Sequence, residues 1–411
     1  MNYSIVCSII TIGDELLIGQ TIDTNSAWIA KELNLIGIQI KRRIAVGDNK
    51  EDILQALNEE KQHAAIIILT GGLGPTSDDI TKPLLCEYFN TNLREDKKVL
   101  QHVMSLFEKR KRPVIESNIM QAWVPANCTV LFNEMGTAPG MLFNHEGIIY
   151  ISLPGVPFEM EYIMTAHVIP FLKNHFKTEN FIHKTLITFG LGESFLAERL
   201  KEFEKKLPPS VRLAYLPAYN VVKLRLTAYA ISNNELDKYV SLLKNEIEDI
   251  LIADEDISLE QALMQILSQY GLTISTAESC TGGLIASRIT SIKGSSQYFK
   301  GSVVAYSEFA KTHLLDVSKE TITQFTAVSK ETVSEMAQQC NQKFATDFAI
   351  AISGYLEKGD HQNEVWIGVA SKNFFEAKQF FVYGDRKRNT EFATNYALYF
   401  LRKCILKSIN T

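Results

Sequence analysis

The sequence predicts an α/β protein in three parts: an α/β domain at residues 1–172, a small α+β segment at 173–256 and a second α/β domain at 257–411. Three observations carry this. Strand-like and helix-like stretches alternate through the first 170 residues and again after residue 257, the order that builds a parallel sheet covered by helices. Between them, from about residue 174 to 253, the alternation gives way to two strands with helices between and after them. The length of 411 residues fits two or three domains at roughly 150 residues each.

In chain order, residues 4–12 are a continuous apolar strand, and 25–35 have helical spacing behind the capping candidates Asp23 and Thr24. Residues 38–46 read as a strand, 50–61 as a helix opened by Asp48 and Asn49, and 64–70 as a buried strand ending at Gly71-Gly72. In the middle segment 181–189 and 222–230 are strands, 194–206 and 234–248 are helices, and Leu207-Pro208-Pro209 is a turn. The acidic break Asp254-Glu255-Asp256 precedes a helix at 258–270. The last domain reads as strand 273–277, helix 282–290, strand 301–306, a helix at 330–341 capped by Ser329, strands 348–352 and 365–369, and an amphipathic helix at 388–403.

Composition excludes several classes. Hydrophobic residues are 46% and charged residues 22%, the balance of a globular protein. The net charge, 42 − 47 = −5, argues against a protein built to hold nucleic-acid phosphates. The segment 371–411 is locally basic, with eight Lys or Arg against three Asp or Glu. The six cysteines are scattered, without a CxxC pair, so a reducing cytoplasm is expected. No apolar run spans a bilayer, and the first twelve residues lack the basic start of a signal peptide.

Two runs in the first domain concentrate chemistry. Thr70-Gly71-Gly72-Leu73-Gly74-Pro75-Thr76-Ser77-Asp78-Asp79-Ile80-Thr81 directly follows a buried strand. Its glycines admit a ligand to the backbone, its N–H groups can form an anion nest, and Asp78 and Asp79 offer hard oxygens for a divalent ion. The same run reads equally as a glycine turn whose aspartates cap the next helix. Gly13-Asp14-Glu15-Leu16 follows the first strand and adds two carboxylates, or simply starts a helix. If the first and third strands are neighbours, both loops share one rim, where such sheets bind ligands. The Gly- and Pro-rich runs 133–140 and 153–157 read as rigid turns.

In the last domain Ser279-Cys280-Thr281-Gly282-Gly283 joins a strand to a helix. A serine on such a turn lies beside the N–H groups of a helix start, which can hold an oxyanion or a phosphate. The geometry resembles a nucleophile elbow, although GxSxG is absent. Serine needs a base. His313 and His361 are poor partners by position, and Lys311, five residues after Tyr306, serves if burial lowers its pKa. Cys280 is a rival nucleophile if the helix start lowers its thiol pKa. The structural alternatives are a plain N-cap for Ser279 and a surface role for Lys311.

At these residues the sequence resembles the CinA family (competence/damage-inducible protein A) over nearly all its length. The resemblance rests on Gly13-Asp14-Glu15-Leu16, Asp23-Thr24-Asn25, the run 70–81, Gly136-Thr137-Ala138-Pro139-Gly140 and Leu153-Pro154-Gly155-Val156-Pro157 in the first domain. Gly190-Leu191-Gly192-Glu193-Ser194 marks the middle segment. In the last domain it rests on Ala277-Glu278-Ser279-Cys280-Thr281-Gly282-Gly283, Gly294-Ser295-Ser296, residues 301–307, Lys311 and Gly384-Asp385-Arg386. It implies a MoaB-like, molybdopterin-binding-type first domain, associated in the family with metal-dependent ADP-ribose pyrophosphatase activity. Gly13, Asp14, Glu15, Asn25, Thr70, Gly71, Gly72 and Gly74 would hold the nucleotide, and Asp78 and Asp79 the divalent ion. It implies for the last domain a nicotinamide-nucleotide amidase that needs no cofactor and converts nicotinamide mononucleotide to nicotinate mononucleotide and ammonia. The family's serine, lysine and nearby tyrosine fall on Ser279, Lys311 and Tyr306. Thr281, Gly282, Gly283, Ser353, Gly354, Arg386 and Arg388 would bind the substrate.

The sequence departs from the family where a Thr-Gly-Ile-Ala-Gly-Pro loop is usual. It reads Ser353-Gly354-Tyr355-Leu356-Glu357-Lys358-Gly359, and the added carboxylate could repel a phosphate. Glu308 replaces an asparagine, and Thr390 replaces the second arginine after Gly-Asp-Arg, with Arg388 as a substitute. The expected protein is thus a cytoplasmic homodimer of pyridine-nucleotide salvage, acting on small nucleotides, with neither nucleic-acid nor membrane partners. The alternatives are a non-catalytic nucleotide-binding regulator with a drifted amidase pocket, and a pyrophosphatase only.

Overall fold

The structure, a computed structural model, describes residues 5–76, 79–176, 181–229, 231–357 and 363–409. The chain divides into two compact units, Met1–Ile182 and His183–Thr411.

In the first unit β1 (Val6–Ile12), α1 (Thr24–Leu35), β2 (Gln39–Val46), α2 (Lys50–Glu60) and β3 (Ile66–Thr70) follow the expected order. The Asp23 side chain caps α1 by accepting from the Ser26 amide at 2.9 Å, and Asn49 caps α2 through the Asp52 amide at 2.9 Å. Every residue of β3 is buried, which is why the strand is apolar on both faces. Then come β4 (Thr129–Leu131), β5 (Gly140–His145) and β6 (Ile148–Leu153). The sheet order is β2-β1-β3-β6-β5-β4. The first four strands are parallel and the last two antiparallel, so the sheet is mixed where a parallel one was expected. The physical reason is the turn Glu146-Gly147, with φ of 52° and 80°, a two-residue hairpin that only antiparallel strands can use.

Because β1 and β3 are parallel neighbours, the loops after Ile12 and Thr70 leave the sheet at one rim. The chain passes close to backbone at Gly71, whose φ is 118° and where an added Cβ would lie 2.2 Å from the Ile12 carbonyl oxygen. Only glycine passes there.

The second unit opens with β7 (Phe181–Phe189), α3 (Glu193–Glu204), β8 (Val211–Ala218), β9 (Val221–Tyr229), α4 (Asn233–Glu246) and β10 (Leu251–Ala253), in a sheet ordered β8-β9-β7-β10. It continues with α5 (Leu259–Tyr270), β11 (Ile274–Glu278), α6 (Leu284–Thr290), β12 (Phe299–Val304), α7 (Glu308–Leu314), α8 (Lys319–Phe325), α9 (Lys330–Phe344), β13 (Phe348–Gly354), β14 (Glu364–Ser371), β15 (Phe375–Phe381) and α10 (Arg386–Ile409). The second sheet runs β12-β11-β13-β14-β15, its first three strands parallel and its last two antiparallel.

The acidic break at 254–256 does not interrupt packing. Ile187, Phe189, Val221 and Ile252 share one apolar core with Leu263, Leu398 and Leu401. Phe189 stacks on Tyr399 at 4.2 Å, and Arg402 donates to the Ile252 carbonyl at 2.7 Å. The helix α10 is longer than its sequence pattern suggested because it is buried both by this middle sheet and by its own domain. Among the described residues no helix is long and apolar enough to cross a membrane.

Replacing Gly71 by alanine is expected to destabilise the first unit by about 2–3 kcal/mol, since the Cβ meets fixed backbone at a positive φ. Hydrogen exchange should then quicken in peptides of β1 and β3 and stay unchanged in β11 and β13. Unchanged protection in β1 would contradict the close approach.

Candidate functional site

The site of the second unit is built where β11 ends. Its last residue, Glu278, is wholly buried. Its carboxylate accepts from the Ile285 amide at 3.0 Å, the Ala286 amide at 2.8 Å and the Thr281 hydroxyl at 2.8 Å. The carboxylate thus fills the anion site that the start of α6 would otherwise offer. The next residue, Ser279, is fixed against β13 by its amide, which donates to the Ile352 carbonyl at 3.0 Å.

The partner of Ser279 comes from α7. The Ser307 hydroxyl caps this helix through the Ala310 amide at 3.1 Å. One turn in, Lys311 points back into the protein and is 2% exposed. Its Nζ donates to Ser279 Oγ at 2.9 Å and to the Ala305 carbonyl at 3.0 Å. Ala305 is itself placed by its amide, which donates to the Glu278 carbonyl at 2.7 Å. Burial pulls the Lys311 pKa below its ordinary value of 10.5, and the Glu308 carboxylate opposes this only in part. A buried amine with a lowered pKa, in contact with a serine hydroxyl, is a competent general base.

Ser279 and Lys311 open onto a cavity of about 320 Å³. Tyr306, Ser353, Gly354, Glu357 and Arg386 also line it. The Tyr306 hydroxyl accepts from Arg386 at 2.8 Å, so it stands at the mouth of the cavity and is engaged there. Arg386 also lies 3.4 Å from Glu357. Ser353 Oγ donates to the Ala327 carbonyl at 2.7 Å, which fixes that wall.

Other expected residues are not brought to the cavity. Thr281, Gly282 and Gly283 do not line it, and the Thr281 hydroxyl is held by Glu278. Arg388 is exposed, pairs with Asp385 at 3.3 Å and is outside the lining. Cys280 reaches the cavity wall, but burial pushes its thiol up to about 12, so it stays protonated. The helix start that was to activate it serves Glu278 instead. His313 stacks on Phe309 at 4.0 Å and bonds the Phe309 carbonyl, away from Ser279. His361, Lys358 and Gly359 lie outside the described residues. Sequence reading missed the roles of Glu278 and Asn389. The buried Asn389 side chain donates to the Leu356 and Gly384 carbonyls, both at 2.8 Å, and accepts from the Gly384 amide at 2.7 Å.

In the first unit a cavity of about 120 Å³ opens at the shared rim, lined among others by Thr11, Glu15, Asp23, Asn25, Thr70 and Gly155. Asn25 Nδ2 donates to Thr70 Oγ1 at 3.0 Å and to the Gly155 carbonyl at 2.8 Å. Its Oδ1 is buried and without a partner among the described residues. Gly13 and Asp14 do not line this cavity; the Gly13 amide donates to Val46, and Asp14 exchanges hydrogen bonds with Asp48. Nor do Gly71, Gly72 and Gly74. The Gly71 amide donates to the Leu153 carbonyl and the Gly74 amide to Asp79, so both amides are already engaged.

Asp79 accepts from the amides of Gly74 and Thr76, at 2.7 and 2.9 Å, and from the Thr76 hydroxyl. A carboxylate offers about four acceptor positions, so at most one is left for a metal ion. Asp78 lies outside the described residues. Among the described residues no group of three His, Cys, Asp or Glu side chains is arranged to hold a metal ion. Of the expected pair of metal ligands the structure thus describes Asp79 alone.

Comparison with known proteins gives three family matches. Residues 8–174 match a probable molybdopterin binding domain, 183–254 the damage-inducible protein CinA KH domain, and 256–405 the CinA C-terminal domain. A CinA-like protein of Flavobacterium psychrophilum is 47% identical over 98% of this chain and 99% of its own. A CinA-like protein of Cytophaga hutchinsonii is 42% identical over 91% of both chains. Among solved structures, the protein CinA with unknown function from Thermoplasma acidophilum is 32% identical, covers 40% of this chain and 96% of its own, and has a TM-score of 0.37.

A lowered lysine pKa has a stability signature. The folded protein sheds this proton at a lower pH than the unfolded chain, so the unfolded chain binds more protons in between. Stability should rise with pH from the folded Lys311 pKa up to about 10.5, and the buried charge should cost stability below that window. Lys311→Met, which carries no charge, should lose this part of the slope when urea midpoints of the two proteins are compared across pH. Parallel pH profiles would contradict a desolvated amine.

Proposed function

The chain belongs to the CinA family, and from that premise we propose that its second unit is an amidase that converts nicotinamide mononucleotide to nicotinate mononucleotide and ammonia. The observation that carries this reading is the buried contact of 2.9 Å between Lys311 Nζ and Ser279 Oγ at a cavity of nucleotide scale.

Neutral Lys311 takes the Ser279 proton as Oγ bonds to the carboxamide carbon. The carbonyl π electrons move to oxygen, and the new ammonium is the nearest fixed positive charge to that oxyanion. When the intermediate collapses, the C–N bond breaks and Lys311 returns the proton to nitrogen, which leaves as ammonia. Lys311 then takes a proton from water as it attacks the ester. The C–Oγ bond breaks, Ser279 recovers its proton, and the acid is released. Arg386, on the cavity wall, suits the phosphate of the nucleotide. Ser279→Ala and Lys311→Met should each lower ammonia release at least about a thousandfold. A full rate in Ser279→Ala would overturn the mechanism, and no release from the wild type would overturn the amidase reading.

In the first unit, the unpartnered Asn25 Oδ1 beside the rim cavity supports a site for an ADP-ribose-type nucleotide, cleaved at its pyrophosphate with a divalent ion. Asn25→Ala should weaken ADP-ribose binding about tenfold by calorimetry. A chelator should stop cleavage while leaving binding in place. Unchanged affinity in Asn25→Ala would place the nucleotide elsewhere.

A further inference from the structure

We propose that Glu357 acts as an internal stand-in for a ligand's anion, holding Arg386 across the mouth of the Ser279 cavity and so limiting how tightly a phosphate-bearing ligand binds there. The inference rests on the reading of this cavity as the pocket of a phosphorylated nucleotide.

Three separate elements meet at the contact. Arg386 is the first residue of α10, Tyr306 follows β12, and Glu357 follows β13. One guanidinium nitrogen donates to the Tyr306 hydroxyl at 2.8 Å, and the other lies 3.4 Å from a Glu357 oxygen. All three side chains line the cavity. The neighbouring acidic residue Asp385 pairs with Arg388, which leaves Glu357 as the carboxylate in ion-pair contact with Arg386 among the described residues.

A guanidinium fork matches a phosphate through two parallel N–H donations. Here one edge of the fork is already turned to Tyr306 and Glu357. A phosphate reaching Arg386 must displace a carboxylate first. The side chains of Arg386 and Glu357 are 48% and 61% exposed, so their pair is hydrated and weak enough to be displaced. An exposed pair of this kind changes a binding constant by no more than about fivefold.

The backbone on both sides is held in place. Asn389 ties the Leu356 carbonyl to the Gly384 turn through one buried amide. Opening the contact is then an exchange of side-chain partners on a fixed frame. A ligand with a phosphate can make that exchange, and its dephosphorylated analogue gains nothing from it. Glu357 therefore penalises the anion and leaves a nucleoside unaffected.

The test is calorimetric titration of the full chain with nicotinate mononucleotide, nicotinate riboside and inorganic phosphate. Glu357→Gln should tighten the mononucleotide and inorganic phosphate about two- to fivefold and leave the riboside unchanged. In an Arg386→Gln background the same change should have no effect. Weaker or unchanged phosphate binding in Glu357→Gln, or an equal gain without Arg386, overturns the proposal. If inorganic phosphate tightens as expected while the mononucleotide binds to no variant, the nucleotide reading fails and the role of Glu357 stands. If neither binds to any variant, both fail.

Discussion

The second unit is organised around a lysine amine that is kept out of water and in contact with a serine. Burying an ionised amine costs several kcal/mol unless it is paired, and Lys311 has no carboxylate in hydrogen-bond contact among the described residues. Its partners are a hydroxyl and a carbonyl. Such a setting favours the neutral amine, which is the form that can accept a proton. Each supporting contact aims this pair. The Ser279 amide is pinned to β13, the Ala305 amide to Glu278, and the start of α7 is capped by Ser307.

Glu278 has the opposite electrostatic task. It is a buried carboxylate that accepts from two amides and from the hydroxyls of Thr281 and Thr276, and not from the nearby lysine. It occupies the amides at the start of α6, while Arg386 lines the cavity. The rim of the first unit shows the same economy. The Gly71 and Gly74 amides of its glycine loop are engaged by Leu153 and Asp79, and beside the rim cavity Asn25 Oδ1 is a buried polar atom without a partner among the described residues.

Most of the fold was legible where packing and local preference agree. The apolar run of β3 and the Asp23 and Asn49 caps read directly. The strands β4, β5, β6, β8, β10 and β15 were not read. β8 and β15 lie partly exposed at sheet edges, and β4 and β10 have three residues, so these four leave no clear period. The elbow at Ser279 was legible because strand, turn and helix follow one another. Lys311 was legible only as a candidate, because its helix of seven residues is too short to announce which face is buried. That Thr281–Gly283 would not line the cavity was not legible, because nothing in the sequence shows that the Glu278 carboxylate folds back onto residues 285 and 286. Asn389 escaped notice because its value comes from joining two loops far apart in the chain.

The most direct test is whether nicotinamide mononucleotide acylates Ser279. The full chain is mixed with excess nucleotide, quenched in acid within milliseconds, digested and analysed by mass spectrometry. The peptide containing Ser279 should carry the nicotinate mononucleotide acyl group, and Lys311→Met should show no such mass. Release of ammonia with no adduct on Ser279 at any quench time, and at an equal rate in Ser279→Ala, would show that water attacks the amide directly and that the buried serine–lysine pair is not the catalytic centre.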